Sequence, residues 1–133
     1  MRLGCSTGCS ATTSTSACRR SWGDLLRPAE KRDPFGVDEA ISGLKTAYAF
    51  LEKRLEGKRW ALGDQFSFAD CSAAPALFYA NNIVALNDGH PALAAYLTRL
   101  MERPSYARTL SEAEPYFHMD PLDNKPTLTP PVA

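Results

Sequence analysis

With 133 residues, 44% of them hydrophobic, and a mean hydropathy of -0.28, the chain has the size and composition of one globular domain. Its 15 basic and 15 acidic residues cancel, so no general field draws it to nucleic acid or to an anionic membrane, and neither is expected as a partner. No stretch approaches the roughly 18 consecutive apolar residues that a membrane-spanning helix requires.

The four cysteines are Cys5, Cys9, Cys18 and Cys71. Three lie near the start at spacings that match no zinc site, and His90 and His118 are the two histidines that could complete one, so no metal is expected. A chain able to build an ordinary core has no need of a disulfide scaffold. Residues 1–22 are heavy in Ser, Thr and Cys and show neither helical nor strand period. That composition predicts a disordered leader, and its lack of an apolar centre argues against a secretory signal. A cytoplasmic protein with reduced thiols is the expectation.

From Val37 the pattern changes. Val37, Ile41, Leu44, Tyr48, Leu51 and Leu55 recur at steps of three and four, with Lys45, Glu52, Lys53 and Glu56 between them. This spacing predicts an amphipathic helix of about five turns, and Gly57 is placed to stop it. The segment from Trp60 to Asp70 reads as a polar turn leading into a second helix. Ser67 followed three residues later by Asp70 is a capping-box spacing. That helix, Phe68 to about Asn81, carries no charge between Cys71 and Ala80. It is expected to be buried on all sides, with Cys71 a small core residue and Pro75 bending it.

A loop over 86–90 leads to Pro91, which suits the first position of a helix. Leu93, Tyr96, Leu97, Leu100 and Met101 then form an apolar stripe opposed by Arg99, Glu102 and Arg103. Pro104 marks a break, and a last helix is expected from about Ser105 to Ala113, with Pro115 helping to end it. Pro121, Pro126, Pro130 and Pro131 predict an extended, mobile tail that packs little. No strand signal competes.

Four ordered segments resemble the glutathione S-transferase family. Gly63-Asp-Gln-Phe-Ser-Phe-Ala-Asp70 is similar to the signature that opens the family's sixth helix. The run from Pro91 to Arg108 is similar to its seventh and eighth helices. Arg27 to Val37 resembles the link between the fourth and fifth helices in a bacterial subgroup, and Glu112 to Phe117 the end of that subgroup's chain. The resemblance implies an all-α fold, a bundle of the family's C-terminal type with a buried central helix. It implies three parts: a non-homologous leader over 1–22, the helical domain over 23–120 and a Pro-rich tail over 121–133.

Full-length members begin with a thioredoxin-like domain that binds glutathione, their cosubstrate, and supplies the group that stabilises its thiolate. Nothing in this sequence resembles that domain. The resemblance therefore implies a truncated homologue that carries the electrophile side alone, with no catalytic and no cofactor-binding residue and no independent conjugating activity. The alternative is a helical protein–protein interaction module of the same fold. Loose self-association or a homodimer is expected through the apolar face left bare.

The leader has two readings. It is a disordered tail on a short natural variant, or residues before Gly23 are read one nucleotide out of register. With suitable codons, the neighbouring frame spells an apolar run similar to the family's fourth helix. Cys18 adjoins Arg19 and Arg20, a weak argument for an activated thiol, whereas Cys5 and Cys9 have no such neighbours.

Among single residues, Ser67 and Asp70 read as a cap in preference to half of a hydrolytic site. His90 is expected to cap a helix or face solvent. Tyr116, Phe117 and His118 are candidate walls of an electrophile pocket by the resemblance, with plain packing as the competing role. Tyr48, Tyr79 and Tyr96 sit on apolar faces and read as core or interface.

Overall fold

The computed structural model of the chain describes residue 16, residues 18–86 and residues 89–131. The early part of the leader, with Cys5 and Cys9, and the middle of the loop over 86–90 lie outside the described residues. The elements are α1 (residues 18–25), a 3-10 turn at Ala29–Lys31, α2 (Pro34–Leu55), α3 (Phe68–Ile83), α4 (Pro91–Met101), α5 (Pro104–Ala113) and a second 3-10 segment at Glu114–Met119. Among the described residues there is no strand; an isolated bridge pairs Trp60 with Gly63 in the loop before α3. The chain is all-α.

Helix α2 starts three residues before its apolar period does, because a cap sets its start. Asp33 accepts from the Gly36 amide at 3.0 Å, and Pro34 occupies the first turn, where its missing N–H costs nothing. A side chain at position 36 would meet the capping carboxylate at 2.3 Å. Leu44, Tyr48 and Leu55 of the expected stripe are buried. Gly57, at φ +70°, turns the chain out of the helix, a conformation that glycine adopts without the clash a Cβ would cause.

Helix α4 is the hub, packing against α2, α3 and α5. Leu93, Ala94, Tyr96, Leu97, Leu100 and Met101 are all buried, so the stripe read from the sequence is the centre of the core. The final helix ends at Ala113, and the chain continues as the 3-10 segment through Pro115, which packs Phe117 against Phe78.

Three expectations are corrected. Helix α3 runs unbroken through Pro75 but is not buried on all sides. Asp70, Ala73, Ala74, Leu77, Phe78 and Ala80 face inward, whereas Phe68, Cys71, Ser72 and Pro75 are exposed. Absence of charge is compatible with solvent here because most of these side chains are small and present little apolar area.

The leader is not unstructured to residue 22. Residues 18–25 are helical, Cys18 and Ser21 are buried, and the Trp22 ring stands edge-on to Tyr79 at 5.5 Å. Apolar contact with α3 outweighs the poor helix propensity of this stretch, and the boundary expected at residue 22 falls inside a helix.

The Pro-rich tail packs. Pro126 and Pro131 are buried, and Leu128 lies against the core. The chain is extended, as proline dictates, yet it follows the surface of α3 and α4.

One polar residue joins two helices. Glu52, half-buried on α2, accepts from the amides of Ala92 and Leu93 at 2.8 Å each. Those amides belong to the first turn of α4, which proline at position 91 and His90 leave without a side-chain cap. The carboxylate also sits at the positive end of the α4 dipole. Glu52→Ala should lower unfolding free energy by about 2 kcal/mol, the usual range for hydrogen bonds to a charged group. Urea titration followed by circular dichroism measures it; Glu52→Gln should retain part of the loss, because an amide oxygen replaces one acceptor without the charge.

Candidate functional site

The densest polar arrangement in the molecule is built where the loop 60–67 meets the start of α3. Ser67 is in an extended conformation at the N-cap, and Ser67 and Asp70 form the capping box. The Asp70 carboxylate accepts from the Ser67 amide and the Ser67 hydroxyl, both at 2.8 Å. Its reach is longer than a cap requires. The other carboxylate oxygen accepts from the Ala61 amide at 2.9 Å and from the Tyr96 hydroxyl at 2.6 Å. Asp70 is wholly buried.

Four donors on one carboxylate decide its electrostatics. Burial by itself would raise the Asp70 carboxyl; the Ala61 amide, the Tyr96 and Ser67 hydroxyls and the Ser67 amide together outweigh it and hold the group below its ordinary 3.8. Tyr96 is pushed the other way, first by burial and then by its bond to Asp70. The phenol therefore stays protonated and donates. The spacing of Ser67 and Asp70 suggested the cap; Tyr96 and Ala61 carried no readable signal, because they join the site only through the packing of α4 and the turn of the loop.

The arrangement is that of a cap: the Asp70 carboxylate is saturated by four donors and held below its ordinary value, which makes it a weak base. A serine nucleophile needs a base within hydrogen-bond reach, and the Ser67 hydroxyl donates to a carboxylate instead. His90 stands edge-on to the Tyr48 ring at 5.7 Å between centroids, and the His118 Nδ1 lies 2.7 Å from the Pro115 carbonyl. His90 occupies the N-cap position of α4 without a side-chain bond there.

The structure does not bring Tyr116, Phe117 and His118 together as one wall. Phe117 is buried on Phe78, while Tyr116 and His118 are exposed. Four cavities among the described residues lie elsewhere: about 280 Å³ under the tail, 310 Å³ where α1 and α2 meet the end of α3 and the tail, 380 Å³ beside Arg19, Arg20 and Arg27, and 170 Å³ between α3 and α5. The cysteines exchange their expected places. Cys71 is exposed on the open face of α3, and Cys18 is buried. Burial, with the Asp120 charge adding to it, pushes the Cys18 thiol up to about 11, so Arg19 and Arg20 do not activate it. Tyr48 is buried and donates to the Val84 carbonyl at 3.2 Å; Tyr79 packs between Trp22 and Phe78.

Among the described residues no three His, Cys, Asp or Glu side chains converge to hold a metal, and no helix is long and apolar enough to cross a membrane.

Because the folded Asp70 carboxyl is held below 3.8, its contribution is complete above that value. It is lost as pH falls through the lower, folded value, when the carboxylate must take a proton. Tyr96→Phe should therefore cost about 1–2 kcal/mol at neutral pH and shift acid unfolding to higher pH, because one of the donors holding Asp70 ionised is gone. Asp70→Ala, which strands several buried donors, should cost about 3 kcal/mol or more. Thermal melts between pH 2 and 7 test both.

Known proteins share this arrangement of helices. Residues 34–99 match the family model described as glutathione S-transferase, C-terminal domain. The chain is 32% identical over 96 residues to a probable glutathione S-transferase of Oryza sativa, covering 68% of this chain and 44% of that protein. It is 27% identical over 84 residues to a stringent starvation protein A homolog of Haemophilus ducreyi, covering 62% and 39%. A glutathione transferase of Burkholderia graminis, solved with two glutathione molecules per subunit, superposes with a TM-score of 0.60 at 25% identity, over 79% of this chain and 48% of that one. The chain thus spans less than half the length of each of these relatives. From the matched helices α2 to α4 and the shared architecture, the chain belongs to the glutathione S-transferase family through its C-terminal domain.

Proposed function

We propose that these 133 residues form the electrophile-side domain of a glutathione S-transferase homologue and do not conjugate glutathione by themselves. The observation that carries the reading is the state of its reactive groups. The Cys18 thiol is pushed up to about 11 by burial, the Tyr48 hydroxyl is bound to the Val84 carbonyl, and the Tyr96 hydroxyl to Asp70. These three are committed to holding the fold, and the exposed Cys71 and Tyr116 stand on separate elements, α3 and the second 3-10 segment. A conjugating enzyme needs a donor free to stabilise the glutathione thiolate, and in the Burkholderia graminis relative, solved with glutathione bound, the matched region makes up 48% of the chain. Glutathione is accordingly the cosubstrate of a longer relative. The exposed, unpaired Cys71 suits a reducing compartment, which we take to be the cytoplasm.

A second reading is favoured by the Haemophilus ducreyi relative, whose name is not that of a transferase. In that reading the domain is a helical interaction module. Phe35, Phe50, Leu62 and Phe68 are exposed large apolar side chains that a partner, or loose pairing of two copies, would cover.

The purified chain, incubated with glutathione and an aryl halide, should give no conjugation above the uncatalysed rate. Turnover that saturates with glutathione would overturn this reading. Light scattering on the same sample distinguishes a self-associating fragment, whose mass rises with concentration, from a monomeric module that waits for a different partner.

A further inference from the structure

The Pro-rich segment over 121–131 was expected to pack little, and its placement against α3 and α4 has a chemistry of its own. Proline has no N–H, so an extended proline-bearing chain cannot satisfy its carbonyls within itself and depends on donors from whatever it lies against. The helices provide them. The Asn82 side-chain amide donates to the Asn124 main-chain carbonyl, and the Asn124 side-chain amide donates back to the Asn82 main-chain carbonyl at 3.2 Å. Farther along, the Thr98 hydroxyl lies 3.3 Å from the Pro131 carbonyl while also bonding the Ala94 carbonyl at 3.0 Å, one hydrogen shared between two acceptors. Between these two anchors Pro126 is buried, and Pro131 is buried beside the second.

Two polar anchors bracketing buried proline rings are the elements of extended-peptide recognition: side-chain donors read the backbone, and apolar recesses read the rings. The fit beneath the segment is loose. A cavity of about 280 Å³ remains between it and the helices, bordered by Phe78, Asn81, Ala85 and Met101. A strap that left no such space would be part of the core. This one lies over a partly open groove, with Pro126, Leu128 and Pro131 as its apolar points of attachment.

We propose that the groove between the C-terminal half of α3 and helix α4 is a receptor for an extended proline-bearing segment. The chain's own residues 121–131 fill it in cis, and the same segment of a second copy is the occupant in trans. The geometry does not depend on which copy the segment comes from, since both anchors and the groove residues lie on α3 and α4 or just beyond α3. Exchange links two chains tail to groove, a route to self-association that uses no new surface. The neutral anchors imply that this association persists at high salt.

The test uses a labelled peptide of residues 120–133 and the full chain. Fluorescence anisotropy should show weak binding to the unaltered chain, whose own segment competes at a high effective concentration. A full chain carrying Asn124→Ala and Pro126→Ala, which loosens the segment in cis, should bind the peptide roughly tenfold more tightly. Adding Asn82→Ala to that chain should abolish the gain. Equal binding of a scrambled peptide with the same four prolines, binding that survives Asn82→Ala, or a loosened chain no better than the unaltered one would each overturn the proposal. If the altered chain does not fold, the unaltered chain still decides: excess unlabelled peptide should displace the chain's own segment and move that segment's resonances, those of Asn124 and Leu128 among them, and unmoved signals refute the exchange. Loss of glutathione conjugation plays no part in the readout, so failure here leaves the functional reading above untouched.

Discussion

A single buried carboxylate holds three separate parts of this chain in register. Asp70 accepts from Ala61 in the preceding loop, from Ser67 at the start of α3 and from Tyr96 on α4. An isolated buried charge is expensive, and its only inexpensive state is the one in which every donor is in place. The consequence is geometric. Loop, helix start and hub helix must be placed together or not at all, and α4 in turn sets α2 and α5. Apolar contacts specify approximate closeness; this carboxylate specifies distance and direction.

Glu52 does on the other side of α4 what Asp70 does at α3. Its carboxylate oxygens receive the first-turn amides of α4, so a residue of one helix caps the next. Helix ends leave amides unsatisfied, and two such ends brought into the core are satisfied by acids rather than by water. The same α4 that is apolar along its stripe is thus fixed at its start by Glu52 and through Tyr96 by Asp70. The hydrophobic core and the polar fastenings share one element, and both lie within the matched family region, residues 34–99, or at its edge.

How much of this was readable in the sequence follows from the range over which each signal acts. The stripes of α2 and α4 are local periodicities, and Leu44, Tyr48, Leu93, Leu97 and Leu100 are buried where the period places them. The Ser67 and Asp70 spacing is equally local. Tyr96, Ala61 and Glu52 acquire their roles from residues that lie 9 to 41 positions away, and no period or short motif encodes that. The two cysteines misled for the opposite reason. Cys71 begins a charge-free run of α3 yet stands on its open face, and Cys18 stands in a polar stretch yet is buried. Composition averages over faces; burial is decided face by face.

The open face of α3 and the strapped groove belong to the same physical account. A helix with no charge between Cys71 and Ala80 has two apolar sides, and the described chain covers one of them with α4 and the other incompletely. Toward its C-terminal end, Asn81 and Asn82 replace alanine and turn the helix polar just where the extended segment crosses it. An asparagine there carries both a donor and an acceptor, and can satisfy a passing backbone in a way that leucine or alanine cannot. The change from small apolar residues to paired amides along one helix therefore divides its surface by chemistry. One part asks for an apolar cover, and the other for an extended chain.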